Sequence, residues 1–285
     1  MKPLPRYFIG PHVSAGGGVS NAPLNAHALN ATGFALFTKN QRQWSAPPLA
    51  AAEAAAFRKQ MQACGYTPAQ VMPHAGYLIN LASPNPAAHA QSIAAFLDEA
   101  RRCIALGLDK LNVHPGSHLR IIPPAAACAR TAAALNTVLA QTDGITLVIE
   151  NTAGSGGNIG ASFDDLSRIL DGVDTPARVG FCLDTAHAFA AGHDIRTRDG
   201  FLDMMDAFDK HIGRAFLKGM HLNDSRSGLA SRVDRHETLG NGALGLEPFT
   251  CIMRDDRFAG IPLILETPDP ARWPDEIQSL LQLER

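Results

Sequence analysis

Ile145-Thr-Leu-Val-Ile-Glu-Asn-Thr152 is the stretch that decides the fold. A β-branched, apolar run ends abruptly at the carboxylate of Glu150, followed by Asn151 and the glycine-rich Gly154-Ser-Gly-Gly157. A strand apolar on both faces belongs in a parallel sheet whose two sides are covered. Such sheets carry their chemistry at the carboxyl ends of the strands. Glu150 is therefore expected near the middle of a site, and the glycines after it in turns, since they match no phosphate-binding pattern.

The same grammar recurs along the chain. Strands are expected at 7–13, 33–38, 69–74, 110–114, through the stretch above, and at 178–184, 217–221 and 261–266. Helices are expected at 21–31, 49–63, 86–106, 122–141, from Ser162, and at 199–213, 246–255 and 271–282. The 86–106 segment spaces Ile93, Phe96, Leu97, Ala100 and Ile104 at helical period, and Ser162-Phe-Asp-Asp165 offers an N-cap with an acidic first turn. Right-handed crossovers between successive parallel strands close eight such units into an α/β (β/α)8 barrel of the TIM type. The 285 residues suit one catalytic barrel over 1–285, which takes about 250, and no low-complexity tract or charge block marks a second domain. Spacing alone also admits a doubly wound open sheet; the barrel is our expectation.

Composition narrows the function. A formal net charge of −2 gives no global attraction to nucleic acid, so any such binding needs a local patch or bound cations. Eleven histidines stand against three tyrosines and two tryptophans. The five cysteines are scattered and never spaced CxxC, which argues for a reducing compartment and against a thiolate metal site. Met1-Lys-Pro-Leu-Pro-Arg-Tyr7 lacks the apolar core of a secretion signal and no run reaches membrane-spanning length. A cytoplasmic, soluble protein is expected, with a monomer as the default and no membrane partner.

The chemistry is concentrated at strand ends. The last six expected strands end in His74, His114, Glu150, Asp184, His221 and Glu266, and a barrel points all six ends at one face. His187 lies three residues beyond Asp184; Asp234 and His236, two apart, share one side of an extended backbone. Together these are five imidazoles and four carboxylates without sulfur. A catalytic ion usually takes three protein ligands, so nine can hold two or three ions, the more so if Glu150 bridges two. Three divalent ions against four carboxylates leave net positive charge, attractive to phosphate. Mixed nitrogen and oxygen ligation suits Zn²⁺ and admits Mn²⁺ or Fe²⁺. Any one of these histidines is more often a hydrogen-bonded structural residue than a ligand; the set carries the argument. His12 is expected to line the site and His118 to support it, while His27, His89, His193 and His211 are expected in solvent. The loop Lys39-Asn-Gln-Arg-Gln-Trp44 offers two cations, three amides and an aromatic, and Tyr77-Leu78 lies on the next loop. Such groups suit nucleic-acid backbones and unstacked bases, or simply pack against neighbouring helices.

Phe37-Thr-Lys-Asn-Gln-Arg-Gln-Trp44, His114-Pro-Gly-Ser-His118, Val148-Ile-Glu-Asn-Thr152, Asp184-Thr-Ala-His187, Met220-His-Leu-Asn-Asp224, Asp234-Arg-His236 and Leu265-Glu-Thr267 resemble the endonuclease IV family of metal-dependent apurinic/apyrimidinic (AP) endonucleases of base-excision repair. The likeness runs from about Gly10 to Trp273 in family order. It implies a barrel with three zinc ions: one held by His74, His114 and Glu150, one by Glu150, Asp184, His221 and Glu266, one by His187, Asp234 and His236. It further implies that Arg42, Tyr77 and Leu78 enter the duplex at the lesion. The implied reaction is hydrolysis of the phosphodiester 5′ to an abasic site in double-stranded DNA, leaving a 3′-hydroxyl and a 5′-deoxyribose phosphate, and removal of blocking groups from 3′ ends. The implied nucleophile is a hydroxide bridging two zinc ions, with Glu150, Glu266 and His114 among the catalytic residues and the third zinc stabilising the phosphate and leaving group. Ala75-Gly76 and Ala186 depart from the family pattern, in loop detail and not in ligands. The main rival is a metal-dependent sugar isomerase or epimerase on a similar barrel, which needs fewer ligands and no duplex wedge; a second is a catalytically dead DNA-lesion binder.

Overall fold

The computed structural model describes residues 4–284. Its strands are β1 (Phe8–Pro11), β2 (Lys110–Val113), β3 (Thr146–Glu150), β4 (Val179–Asp184), β5 (Leu217–His221), a short hairpin of β6 (Asp224–Ser225) and β7 (His236–Glu237), and β8 (Pro262–Leu265). Apart from the hairpin they form one parallel sheet in the order β1-β8-β5-β4-β3-β2. All six residues of β4 are buried, as are the last four of β3, as two covered faces require.

The sheet closes through the two segments expected as the second and third strands. They contribute single bridges, His12 to Ala35, Phe34 to Val71 and His74 to Asn112, where longer ladders were expected at 33–38 and 69–74. Proline explains the shortfall. The next rungs would need N–H groups from Pro11 and Pro73, which have none. Hydrogen bonds from Ala35 N to Pro11 O (3.1 Å), Met72 N to Phe34 O (3.1 Å) and Asn112 N to Pro73 O (2.7 Å) complete the circuit. The closure is tight: a Cβ on Gly33 would lie 2.7 Å from Phe8 O and 2.9 Å from Gln70 O, between the backbones of both neighbours.

The helices are α1 (Asn21–Ala28), α2 (Ala51–Cys64), α3 (Pro86–Leu106), α4 (Pro124–Leu139), α5 (Phe163–Asp171), α6 (Thr185–Ala191), α7 (Arg198–His211), α8 (Glu247–Met253) and α9 (Trp273–Leu283). Ser162 caps α5 by accepting from Asp165 N, as its sequence suggests. Two elements differ from expectation. α1 stops at Ala28, three residues early, and α6 springs directly from the end of β4, capped by Asp184 itself. Inside the barrel a small layer of Ala35, Met72, Val148, Cys182 and Ile264 fills the floor, distinct from the main core between sheet and helices. No helix among the described residues is long and apolar enough to cross a membrane.

Candidate metal centre

Register brings the strand ends level: Glu150 pairs with Cys182, and Asp184 with His221. All nine expected ligands converge there. The fully buried carboxylate of Glu150 lies 3.0 Å from His221 Nδ1, 3.1 Å from His74 Nε2, 3.3 Å from His187 Nδ1 and 3.5 Å from His114 Nε2. Glu266 Oε2 is 3.3 Å from the same His221 Nδ1, and Asp184 Oδ2 is 3.9 Å from it. Asp234 stands 3.1 Å from His187 Nε2 and 3.3 Å from His236 Nε2. Ligand atoms of His74, His114 and Glu150 fall within 4.8 Å of one another, as do those of Glu150, Asp184, His221 and Glu266. Two further compact sets are Asp184, His187 and His236, and Glu150, Cys182 and His221, the last adding a buried thiol that the sequence reading had not counted. Asp184 thus joins the two histidines for which Asp234 was the expected carboxylate, and both carboxylates face that pair.

The histidines are aimed. His74 Nδ1 lies 2.7 Å from Ala75 O, His187 Nδ1 2.9 Å from Asn151 O, and His236 Nδ1 3.1 Å from Glu266 O. A carbonyl only accepts, so each Nδ1 donates and each Nε2 is turned toward the carboxylates. His236 Nε2 is buried, 3.6 Å from Asp184 Oδ2 and 3.3 Å from Asp234 Oδ1, and makes no hydrogen bond. A nitrogen lone pair facing two carboxylate oxygens is repulsive unless a cation lies between them. The donor set therefore fits divalent ions with mixed nitrogen and oxygen preference.

The charges respond to one another. Burial works against an ionised Glu150, yet the imidazoles of His221 and His114 hold its carboxyl well below the usual range. Glu266 behaves likewise, through His221 and a hydrogen bond with His12. Asp234, also opposed by burial, is brought down to about 2 by His187. Against the cost of burial, Asp184 and Asp234 push His187 upward, and Glu150 raises His221 and His74.

A supporting layer was missed in the sequence. Asn112, an amide between the buried Leu111 and Val113 of β2, donates to Glu150 Oε2. Asn223 donates to Asp184 Oδ2 at 2.6 Å and accepts from Glu266 N at 2.8 Å, tying two ligands together. Asn151 Oδ1 accepts from Asp184 N at 2.6 Å. The one available signal was an amide in a buried position, where it must find a partner.

At the rim, Arg42 and Leu78 are exposed and Tyr77 is 59% exposed, with its ring edge-on to Phe37. Of the two cations in its loop, Lys39 follows the packing alternative: its side chain is only 3% exposed and paired with Asp98 at 3.0 Å. His12 does line the site, 3.1 Å from Glu266 Oε1. His118 is structural, its Nδ1 accepting from Arg120 N. His89 and His193, expected in solvent, are half-buried; His89 bonds Leu81 O at 2.8 Å and His193 stacks on Phe163. His27 and His211 are exposed as expected.

The family described as xylose isomerase-like TIM barrel matches residues 24–283. A relative named probable endonuclease 4, from Campylobacter concisus (strain 13826), is 51% identical over 278 residues, covering 98% of each chain. The chain belongs to the endonuclease IV family. The crystal structure of endonuclease IV from Thermus thermophilus superposes with a TM-score of 0.82 at 36% identity, covering 99% of this chain and 98% of that one. D-psicose 3-epimerase from Clostridium cellulolyticum H10 shares the fold alone, with a TM-score of 0.66 at 14% identity over 95% of this chain and 94% of that one. Endonuclease IV membership covers the whole sequence in which the nine converging side chains lie.

Proposed function

We propose that the protein is a zinc-dependent AP endonuclease that cuts the phosphodiester 5′ to abasic sites in double-stranded DNA and trims blocked 3′ ends. The observation that carries this reading is the single network joining nine nitrogen- and oxygen-bearing side chains around the buried Glu150. His74, His114 and Glu150 would hold one ion; Glu150, Asp184, His221 and Glu266 a second; His187, Asp234 and His236 a third, with Asp184 turned toward it. When bound, zinc supplies Lewis acidity at the phosphate and lowers the pKa of water to about 7.

The chain's own residues supply the rest. Carbonyls of Ala75, Asn151 and Glu266 hold Nδ1 of three imidazoles as the donor, so that Nε2 is the nitrogen presented to a ligand once it is deprotonated. His12 orients Glu266 through Oε1, while His221 faces Oε2. Arg42, Tyr77 and Leu78 stand free at the mouth, where they can fill the space of an extruded abasic nucleotide. Such a nucleotide has no base to unstack, so it leaves the duplex at less cost than an intact one.

The test is incision of a duplex oligonucleotide carrying one abasic analogue, with the termini identified and the metal counted. A 3′-hydroxyl product, about three zinc ions per chain, and loss of cutting in Glu150→Ala and Glu266→Ala are expected. An intact duplex, or one ion with activity on ketoses, would overturn the assignment.

A further inference from the structure

Outside the metal centre, one buried charge cluster has no part in the chemistry just described. It lies on α3, beneath the two rim loops. Glu99 and Lys39 have side chains only 3% exposed, 3.5 Å apart. The two oxygens of Glu99 accept from Gly76 N at 3.0 and 3.3 Å. Lys39 Nζ donates to Trp44 O at 3.2 Å and to Asp98 at 3.0 Å. Arg102, one turn along, bonds Asp98 at 2.9 Å and Pro47 O at 2.6 Å. The loops also touch directly, through Tyr77 N to Gln41 O at 3.1 Å.

Glu99 therefore holds both loops at once: 75–78 through a backbone amide, 39–44 through Lys39. We propose that Glu99 is a positioning residue for lesion recognition, locking Arg42, Tyr77 and Leu78 into a wedge that is already formed before DNA arrives. The inference rests on the assignment of those three residues to the duplex. A charged pair taken out of water is costly to keep in place of apolar packing. Here it fixes two otherwise irregular segments in one geometry, and a preformed binding surface loses less entropy when the duplex docks. Gly76 belongs to the device: a Cβ there would lie 3.2 Å from both Glu99 Oε1 and Gln41 O, so a side chain would crowd the junction.

Glu99→Gln tests it while keeping size. One amide oxygen must replace two carboxylate oxygens, and its NH₂ cannot accept from Gly76 or Lys39. The expected result is a KM for abasic duplex raised about tenfold or more, with kcat changed by less than about threefold. In Lys39→Met, which leaves the bond from Gly76 N to Glu99 and hence the Ala75 carbonyl beside His74 in place, zinc content and hydrolysis of bis(p-nitrophenyl) phosphate, a diester too small to meet the loops, stay at the wild-type level. Glu99→Asp, which restores the charge, recovers part of the loss. Amide exchange in the DNA-free protein is expected to speed up at both 39–44 and 75–78 in Glu99→Gln and in Lys39→Met. Should Glu99→Gln not fold, Lys39→Met breaks the same link from the other side and carries the same kinetic expectation. Unchanged KM with normal folding overturns the proposal, as does a fall in kcat on the small diester matching that on DNA. If the wild-type protein leaves the abasic duplex intact, the function assignment fails; unchanged exchange at the two loops then refutes the brace separately.

Discussion

Replacing Glu150 by glutamine changes one atom and removes a charge that four imidazoles surround within 3.5 Å. In the metal-stripped protein at pH 6, His187 and His221, both raised well above their ordinary value, are protonated and lose their shared counter-charge. The direct attraction at 3.0 Å is about 5–6 kcal/mol at an effective dielectric constant of 20. The imidazoles recover part of this by releasing protons, so the net loss falls near the ~3–5 kcal/mol typical of a broken buried pair. At about 2 °C per kcal/mol for a chain of this size, thermal melts of the chelated variant at pH 6 are expected some 6–10 °C below the parent. Glu150 belongs to three of the four compact ligand sets, so elemental analysis of the reconstituted variant should find at most one tightly held zinc. Duplex incision should fall by about a thousandfold or more, the scale of losing a metal-assisted step. A melting shift below about 1 °C with full metal content would refute the central place given to this carboxylate.

Three further outcomes follow from the same geometry. Chelated protein should be most stable between about pH 4.5 and 6.5. Depressed Glu150, Glu266 and Asp234 lose their contribution as pH falls, whereas raised His74, His187 and His221 lose theirs as pH rises; His12, lowered by burial, opposes only the second trend. Zinc-loaded protein should instead gain stability from pH 6 to 8, because ligation requires deprotonated imidazoles; melts that move in parallel would contradict this. Gly33→Ala forces a Cβ to 2.7 Å from Phe8 O and 2.9 Å from Gln70 O, neither of which is a flexible side chain, and should cost about 3 kcal/mol in denaturant unfolding. Asn112→Ala removes the amide that steadies Glu150 and should weaken zinc about 10–100-fold in chelator competition, without shifting the far-UV spectrum.

How much of this was legible depends on which physics each residue expresses. The strands that lead to Glu150, Asp184 and Glu266 announce themselves because burial on both faces demands apolar runs, whereas the one ending at His221 is interrupted by Lys218. The 33–38 and 69–74 segments have the same pattern, but pattern does not count hydrogen-bond donors, and Pro11 and Pro73 each delete one. Helix α6 was hidden because Asp184 serves twice, as an end-of-strand carboxylate of the candidate site and as the cap that accepts from His187 N at 2.8 Å. That one hydrogen bond also fixes where His187 can be, which spacing along the chain could suggest but not locate.

The site residues were easier to find than their supports for a related reason. Histidines and carboxylates at strand ends are conspicuous against an apolar background, and six in succession compound the signal. Amides are not conspicuous: Asn112, Asn151 and Asn223 look like ordinary polar residues until the fold buries them. Lys39 shows the opposite error. A lysine in a polar loop suggests a free cation, and only α3, more than fifty residues away in sequence, supplies the Asp98 and Glu99 that claim it. Long-range pairing of this kind leaves no local trace, because either partner alone is an unremarkable solvated charge. The consequence is directional: sequence reading overstates how many rim cations are free for DNA and understates how firmly the rim is held. Arg42, with no such partner among the described residues, is the cation of that loop left available for the proposed DNA contact.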